Sequence, residues 1–144
     1  MPENDTTRND YAKYRIDRTK EDLETAHLLF EAGKYRIANN LAYYAIFHAL
    51  RAILVFNDFD SSKHSSVIAE FRRRYIKEGI FPTETSKMIG QAFTIRMLLI
   101  MTTCFLQVNQ ILRNKFQMPI NADYVYELIS QYIIDKLENK GNQP

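Results

Sequence analysis

Tyr44, His48 and Arg51 are spaced i, i+4 and i+7, so any helix that carries them displays all three on one face. A phenol, an imidazole and a guanidinium side by side can bind an anion or pass a proton. Buried without partners, the imidazole and guanidinium would be costly, because an unpaired charge in an apolar interior loses its hydration. Two readings are open: a satisfied polar cluster in a core, or a polar pocket or dimer seam that a ligand enters. Lys63-His64-Ser65-Ser66 is a second candidate. It falls at a helix start, where free backbone N–H groups and the helix dipole favour a phosphate, although serines there also serve as ordinary caps. Arg72, Arg73 and Arg74 are consecutive, point in different directions around a helix and read as a solvated face. Cys104 sits in an apolar run and reads as core. The chain has no phosphate-cradling glycine loop, no His-Glu-x-x-His and no nucleophile elbow.

The elements that must position these residues follow from composition and periodicity. The chain has 144 residues, 46% of them hydrophobic, which predicts one compact domain over residues 1–144 with frayed ends at 1–9 and 140–144. Four Gly and four Pro leave few tight turns for a β-sandwich or barrel. A net charge of +2 is too weak a field to argue for nucleic acid by itself. One Cys and three His exclude a disulfide scaffold and argue against a zinc site, so no metal or cofactor is expected. Met1 to Asp10 is polar and lacks the apolar region of a signal peptide. The stretch Met97 to Leu106 is about half the length of a spanning helix. A cytoplasmic protein with no membrane partner is the expectation.

Helical periodicity predicts a first helix over about residues 8–32, with Ile16, Leu23, Ala26 and Phe30 on its apolar stripe and Gly33 ending it. A second helix over about 35–57 is apolar from Leu41 to Phe56 except at His48 and Arg51, and a helix apolar on nearly every side must be surrounded. The run from Asn57 to Ser62 reads as a loop ending in an N-cap. Helix three, about 62–78, should bury Val67, Ile68, Phe71 and Tyr75. Helix four, capped by Thr83 or Thr85, should run from about Glu84 to Asn114 and stop before Pro119. The last, about 123–138, carries Val125, Leu128, Ile129, Tyr132 and Ile133 at helical spacing. The fold class predicted is all-α, an up-and-down bundle of four to five helices with helix two at its centre.

Several of these segments, in this order, resemble the HEPN family. They are Glu21-Asp22-Leu23 through Ala32-Gly33, then Leu41-Ala42-Tyr43-Tyr44-Ala45-Ile46-Phe47-His48-Ala49-Leu50-Arg51-Ala52, then Lys63-His64-Ser65-Ser66-Val67-Ile68, Gly79-Ile80-Phe81-Pro82 and Ala92 to Arg96. The resemblance covers roughly residues 10–96. It implies a helical bundle that usually forms a homodimer. Many members are RNA-cutting toxins encoded beside a small nucleotidyltransferase antitoxin, and others are non-catalytic nucleotide- or RNA-binding modules. The family signature is an Arg followed about four to six residues later by a His, the pair that would stabilise charge on a scissile phosphate and help the ribose 2′-hydroxyl attack. In the most similar subgroup an Asp-Tyr pair follows the Arg instead. Arg96 matches the Arg, but Met97 to Phe105 holds no His, Asp or Tyr. The resemblance therefore implies a protein of toxin–antitoxin or stress-response type that binds RNA or nucleotide, with Arg96 at the catalytic position. Tyr44, His48, Arg51, Lys63 and His64 would be its binding residues. RNase activity is not expected from an incomplete signature. The alternative is a non-catalytic helical interaction or dimerisation module.

The departure after Arg96 has a coding explanation. A family-like peptide Asn-Ala-Ser-Asp-Tyr-Asp-Asp-Met-Phe can be encoded AAT GCT TCT GAT TAT GAC GAC ATG TTT. Without its first base this reads ATG CTT CTG ATT ATG ACG ACA TGT TT, which spells Met97 to Cys104 and, with one more T, Phe105. Suitable codons for Leu106 to Pro119, read one base earlier, give the polar, amphipathic Phe-Ala-Ser-Lys-Ser-Asp-Thr-Glu-Lys-Gln-Ile-Ser-Asn-Ala. The expectation is that about residues 97–119 are read in a shifted frame that is restored near Ile120. The alternative is divergence to an apolar helix.

Overall fold

A computed structural model of the chain describes residues 2–101 and 118–141, with side chains over 6–98 and 121–139. It is an all-α bundle, without a strand among the described residues. The helices are α1 (Pro2–Glu31), α2 (Tyr35–Leu54), α3 (His64–Phe71), α4 (Thr83–Met101) and α5 (Met118–Gly141). A single 3₁₀ turn, Val55–Asn57, extends α2, and a π-helical turn, Arg72–Ile76, extends α3.

Gly33 ends α1 as its type predicts. Its φ of 78° is left-handed. Its N–H donates to Phe30 O at 3.0 Å and Lys34 N–H to Leu29 O at 2.8 Å, which closes the last carbonyls of α1 in a Schellman turn. The chain reverses there and α2 packs along α1. The stripe expected on α1 is buried at Ile16, Leu23 and Ala26, with Phe30 half-buried.

Helix α2 is the central element. It touches α1, α3, α4 and α5, and Ala42, Ala45, Ala49, Ala52, Ile53 and Leu54 have no exposed surface. Alanines on several sides let four helices approach one axis, and the larger Ile46, Phe47 and Leu50 fill the gaps between them. Val67, Ile68, Phe71 and Tyr75 of the α3 region, and Val125, Ile129 and Ile133 of α5, complete the core.

Some boundaries differ from the pattern. α1 is already helical at Pro2 rather than from near residue 8, and α5 is already helical at Met118 rather than from near 123. Pro119 thus lies within α5 rather than between two helices. The N-cap of α3 is Lys63, without a side-chain cap bond, rather than Ser62. The serine preceding it acts differently: Ser61 Oγ accepts the Lys63 N–H at 3.1 Å. Thr85 is fully buried and its hydroxyl has no hydrogen-bond partner among the described residues, so it does not cap α4. The expected run of helix four to Asn114, the core role of Cys104 and most of the 97–119 segment fall on residues 102–117, outside the described residues.

Two polar ties fasten the elements to one another. Asp60 accepts hydrogen bonds from Arg51 (Nε at 2.8 Å, Nη2 at 3.0 Å) and from Arg15 (3.2 and 3.1 Å), so the loop before α3 is anchored to both α1 and α2. His27 and Asp123, 2.6 Å apart, join α1 to α5.

Candidate functional site

The face of α2 that carries Tyr44, His48 and Arg51 also carries Asn40, Tyr43 and Phe47, one and two turns along the same stripe. α3 brings His64 onto this stripe and α4 brings Arg96. The His64 imidazole stacks on Phe47, with ring centroids 4.0 Å apart and 30° between planes. The rings of Tyr43 and Tyr44 lie 5.4 and 6.2 Å from His64. Tyr44 and His48 stack at 6.3 Å.

Arg96 lies over this aromatic surface. Its Cζ is 4.8 Å from the centre of the Tyr43 ring and 4.5 Å from that of Tyr44, within cation–π range of both. Its Nη1 donates to Asn40 Oδ1 at 3.2 Å and its Nη2 to the Tyr44 hydroxyl at 2.9 Å. Among the described residues no carboxylate pairs with it. Its charge is held in place by neutral groups and stays available to an anion.

Tyr43 and His64 meet at 2.5 Å between the hydroxyl and Nδ1. Burial pushes the Tyr43 phenol up to about 12, against the opposing pull of Arg96. The same burial, reinforced by the positive charges of Arg96 and Arg51, pushes the His64 imidazole below its ordinary value. At neutral pH the pair is therefore a neutral phenol and a neutral imidazole. The hydroxyl donates to Nδ1, and the His64 proton resides on Nε2. His48 is also lowered, chiefly by burial.

The other two residues singled out in the sequence lie differently. Arg51 passes over the Phe47 ring (5.6 Å) and ends in the ion pair with Asp60, so it positions the loop and adds positive charge behind His64. Lys63 is exposed at the start of α3. Three residues of the cluster are not singled out by the sequence as site residues: Asn40 lies outside the family-like segment, and Tyr43 and Phe47, inside it, read as core because tyrosine and phenylalanine in an apolar helix do so. The usable clue is their shared stripe with Tyr44 and His48. Among the described residues no group of three His, Cys, Asp or Glu side chains is placed to hold a metal ion, and no helix is long and apolar enough to cross a membrane.

A helical bundle whose aromatic, histidine-bearing central helix faces an arginine from α4 is the arrangement of a HEPN domain. That domain is matched over residues 12–100, and the chain belongs to the HEPN domain family. It is similar to a UPF0332 protein of Pyrococcus horikoshii, 34% identical over 95 residues, which span 66% of this chain and 64% of the relative. A Methanocaldococcus jannaschii protein named as a candidate toxin is 35% identical over 81 residues, 56% of this chain and 60% of that protein. A UPF0332 protein of Thermotoga maritima is 35% identical over 84 residues, 58% of this chain and 64% of the relative. The matched stretch thus spans less than two thirds of each relative's own length.

Proposed function

We propose that this chain is a HEPN protein of toxin–antitoxin or stress-response type, working in the cytoplasm as a homodimer beside a nucleotidyltransferase antitoxin. Its Arg96 cluster binds a phosphate of RNA or of a nucleotide. The observation that carries this reading is the Arg96 guanidinium, seated on Tyr43 and Tyr44 with no carboxylate pairing it among the described residues. A positive charge fixed against aromatic faces suits a ligand that presents a phosphate and a flat base together. His64, neutral and with Nε2–H free of the Tyr43 bond, supplies a neutral donor on the same surface. The M. jannaschii relative's name supports the toxin side of the reading. Cleavage is not part of the proposal, since no His follows Arg96 up to Phe105.

The test is fluorescence anisotropy with labelled AMP and a labelled uridine hexamer. Arg96→Ala should weaken both by about 1–3 kcal/mol, the size of a charge-assisted hydrogen bond. Unchanged affinity for both would remove the motif-based reason to assign the chain a nucleic-acid role. Met97 and Leu98, 41% and 50% exposed, favour a second reading in which the end of α4 serves association alone. Sedimentation of the chain without nucleic acid, compared with that of Leu98→Asp, decides whether this surface joins two copies.

A further inference from the structure

α3 and α4 leave a groove of about 190 Å³ between them, walled by Ser65, Ile68, Ala69 and Arg72 on one side and Gly90 and Phe93 on the other. We propose that this groove is a second subsite for single-stranded RNA, taking the base next to the nucleotide at Arg96, with Arg72 holding the flanking phosphate. The proposal rests on reading the Arg96 cluster as a phosphate site.

The groove continues that site. Ser65 follows His64 in α3, and Phe93 precedes Arg96 by one turn of α4. From Phe93, the groove residue of α4 nearest the site, to Arg96 the helix rises about 4.5 Å, so neighbouring nucleotides of one strand can reach both. The volume is well below the roughly 300–1,000 Å³ of pockets that enclose a whole small ligand. It suits one part of a longer molecule, and Phe93, Ile68 and Ala69 give that part an apolar, partly aromatic seat of the kind that takes a base.

Arg72 is built into the far end. Of the three consecutive arginines, Arg73 and Arg74 both pair with Glu70. Arg72 alone of the three crosses to α4, donating from Nε to Ser86 Oγ at 2.9 Å and from Nη2 to Ser86 O at 3.3 Å. No carboxylate pairs with it among the described residues. The π-helical turn begins at Arg72, with Lys77 N–H donating to Arg72 O at 2.9 Å, and such turns recur at functional sites because the extra residue re-aims the side chains around it. On the opposite wall, a methyl group added at Gly90 would meet Arg72 Nη2 at 3.2 Å. Glycine in a helix interior costs stability relative to alanine. Here it gives the guanidinium a flat seat against the α4 backbone.

The two subsites separate with two probes. Wild-type protein should bind a fluorescein-labelled uridine hexamer more tightly than labelled AMP, which occupies the Arg96 subsite alone. Arg72→Ala should weaken hexamer binding roughly five- to thirty-fold and leave AMP within about two-fold. It should also flatten the dependence of log affinity on log salt by about 0.7, the loss of one phosphate contact on a single strand. Gly90→Ala should weaken the hexamer about three- to ten-fold by displacing Arg72, while the protein melts no lower than wild type. Arg73→Ala, which removes the same charge one residue on, should stay within about two-fold. Thermal melts of each variant establish that it is folded. Hexamer binding untouched by Arg72→Ala, or lost together with AMP binding, would overturn the groove as a subsite and leave the Arg96 reading standing. Hexamer binding that falls with Arg72→Ala but not with Arg96→Ala sinks the Arg96 reading instead. Binding of neither probe by the wild type sinks both.

Discussion

The Tyr43 hydroxyl and His64 Nδ1, on α2 and α3 and 21 residues apart in sequence, lie 2.5 Å from each other, with the Arg96 guanidinium over the Tyr43 ring. The bond fixes both the rotamer and the tautomer of His64, and so the direction in which Nε2–H points. Tyr43→Phe removes that constraint while keeping the ring under Arg96. Its expected effect is a loss of about 1 kcal/mol in AMP binding with stability changed by less than about 1.5 kcal/mol, since a hydrogen bond between neutral groups contributes about that much. Isothermal titration and urea unfolding measure the two quantities, and a large stability loss with intact binding would recast the pair as a packing device.

Arg96→Lys separates charge from shape. Lysine keeps the positive charge but loses the planar fork that reaches Asn40 and Tyr44 together and the flat face that rests on two rings. Binding of AMP should fall by about 1–2 kcal/mol relative to wild type, nearly as far as for alanine. Retention of full affinity by the lysine variant would show that a point charge is enough.

Helix α2 was legible almost in full from its sequence, because an apolar residue on every side has one physical outcome, enclosure by other helices. Leucine substitution tests it directly. Ala45 and Ala49 have no exposed surface, so Ala45→Leu or Ala49→Leu should destabilise by about 1–3 kcal/mol through overpacking. A variant that melts like wild type would mean α2 has spare volume. The faces of α1, α3 and α5 were equally readable, since periodicity within one helix decides which side is apolar. What periodicity does not contain is which helices meet. Arg96 and Asn40 are 56 residues apart, and their hydrogen bond depends on how α2 and α4 cross. The same holds for Arg72. Three arginines in a row look alike on a regular helix, and the π-helical turn with the pairing of Glu70 sets one of them apart.

Stability should fall in two stages on acidification. His48 and His64 titrate below their ordinary value of 6.5 when folded, burial being the leading cause for each. The unfolded chain then binds more protons than the folded one once pH drops below about 6.5, so their contribution is present above that pH and lost beneath it. Asp60 is held far below its ordinary 3.8, first by the Arg51 hydrogen bond and then, against the opposing effect of burial, by Arg15. Its contribution is present above about pH 4 and lost in stronger acid. Urea midpoints from pH 8 to pH 3 should show both declines. His64→Gln should flatten the first and Asp60→Asn the second. Asp60→Asn should also cost about 1–2 kcal/mol at pH 7, a figure discounted for a half-exposed carboxylate, because it leaves the buried Arg15 guanidinium without a charge partner, held by Tyr11 alone in charge-neutral contact. A single decline near pH 4 in the wild type would mean the two histidines are less enclosed than their stacking implies.

The apolar run that begins at Met97 has the most decisive test. Met97 and Leu98 are 41% and 50% exposed in α4, an apolar surplus that a bundle helix ordinarily replaces with polar side chains. The shifted-frame reading replaces residues 97–105 with Asn-Ala-Ser-Asp-Tyr-Asp-Asp-Met-Phe and residues 106–119 with the polar peptide given above. Asn and Ala would then stand at the two exposed positions, an Asp-Tyr pair would follow Arg96 within two turns, and Cys104 would disappear. The repaired chain should be more soluble and should melt higher than the present one, because less apolar surface is left in water and charged residues return to the solvent face. Light scattering and thermal melts of the two purified chains read both effects. The coding DNA must also show a single-base deletion near codon 97 and a compensating insertion near codon 120 relative to close relatives. Equal solubility and equal melting temperatures, or an uninterrupted frame shared with those relatives, would establish the apolar stretch as native.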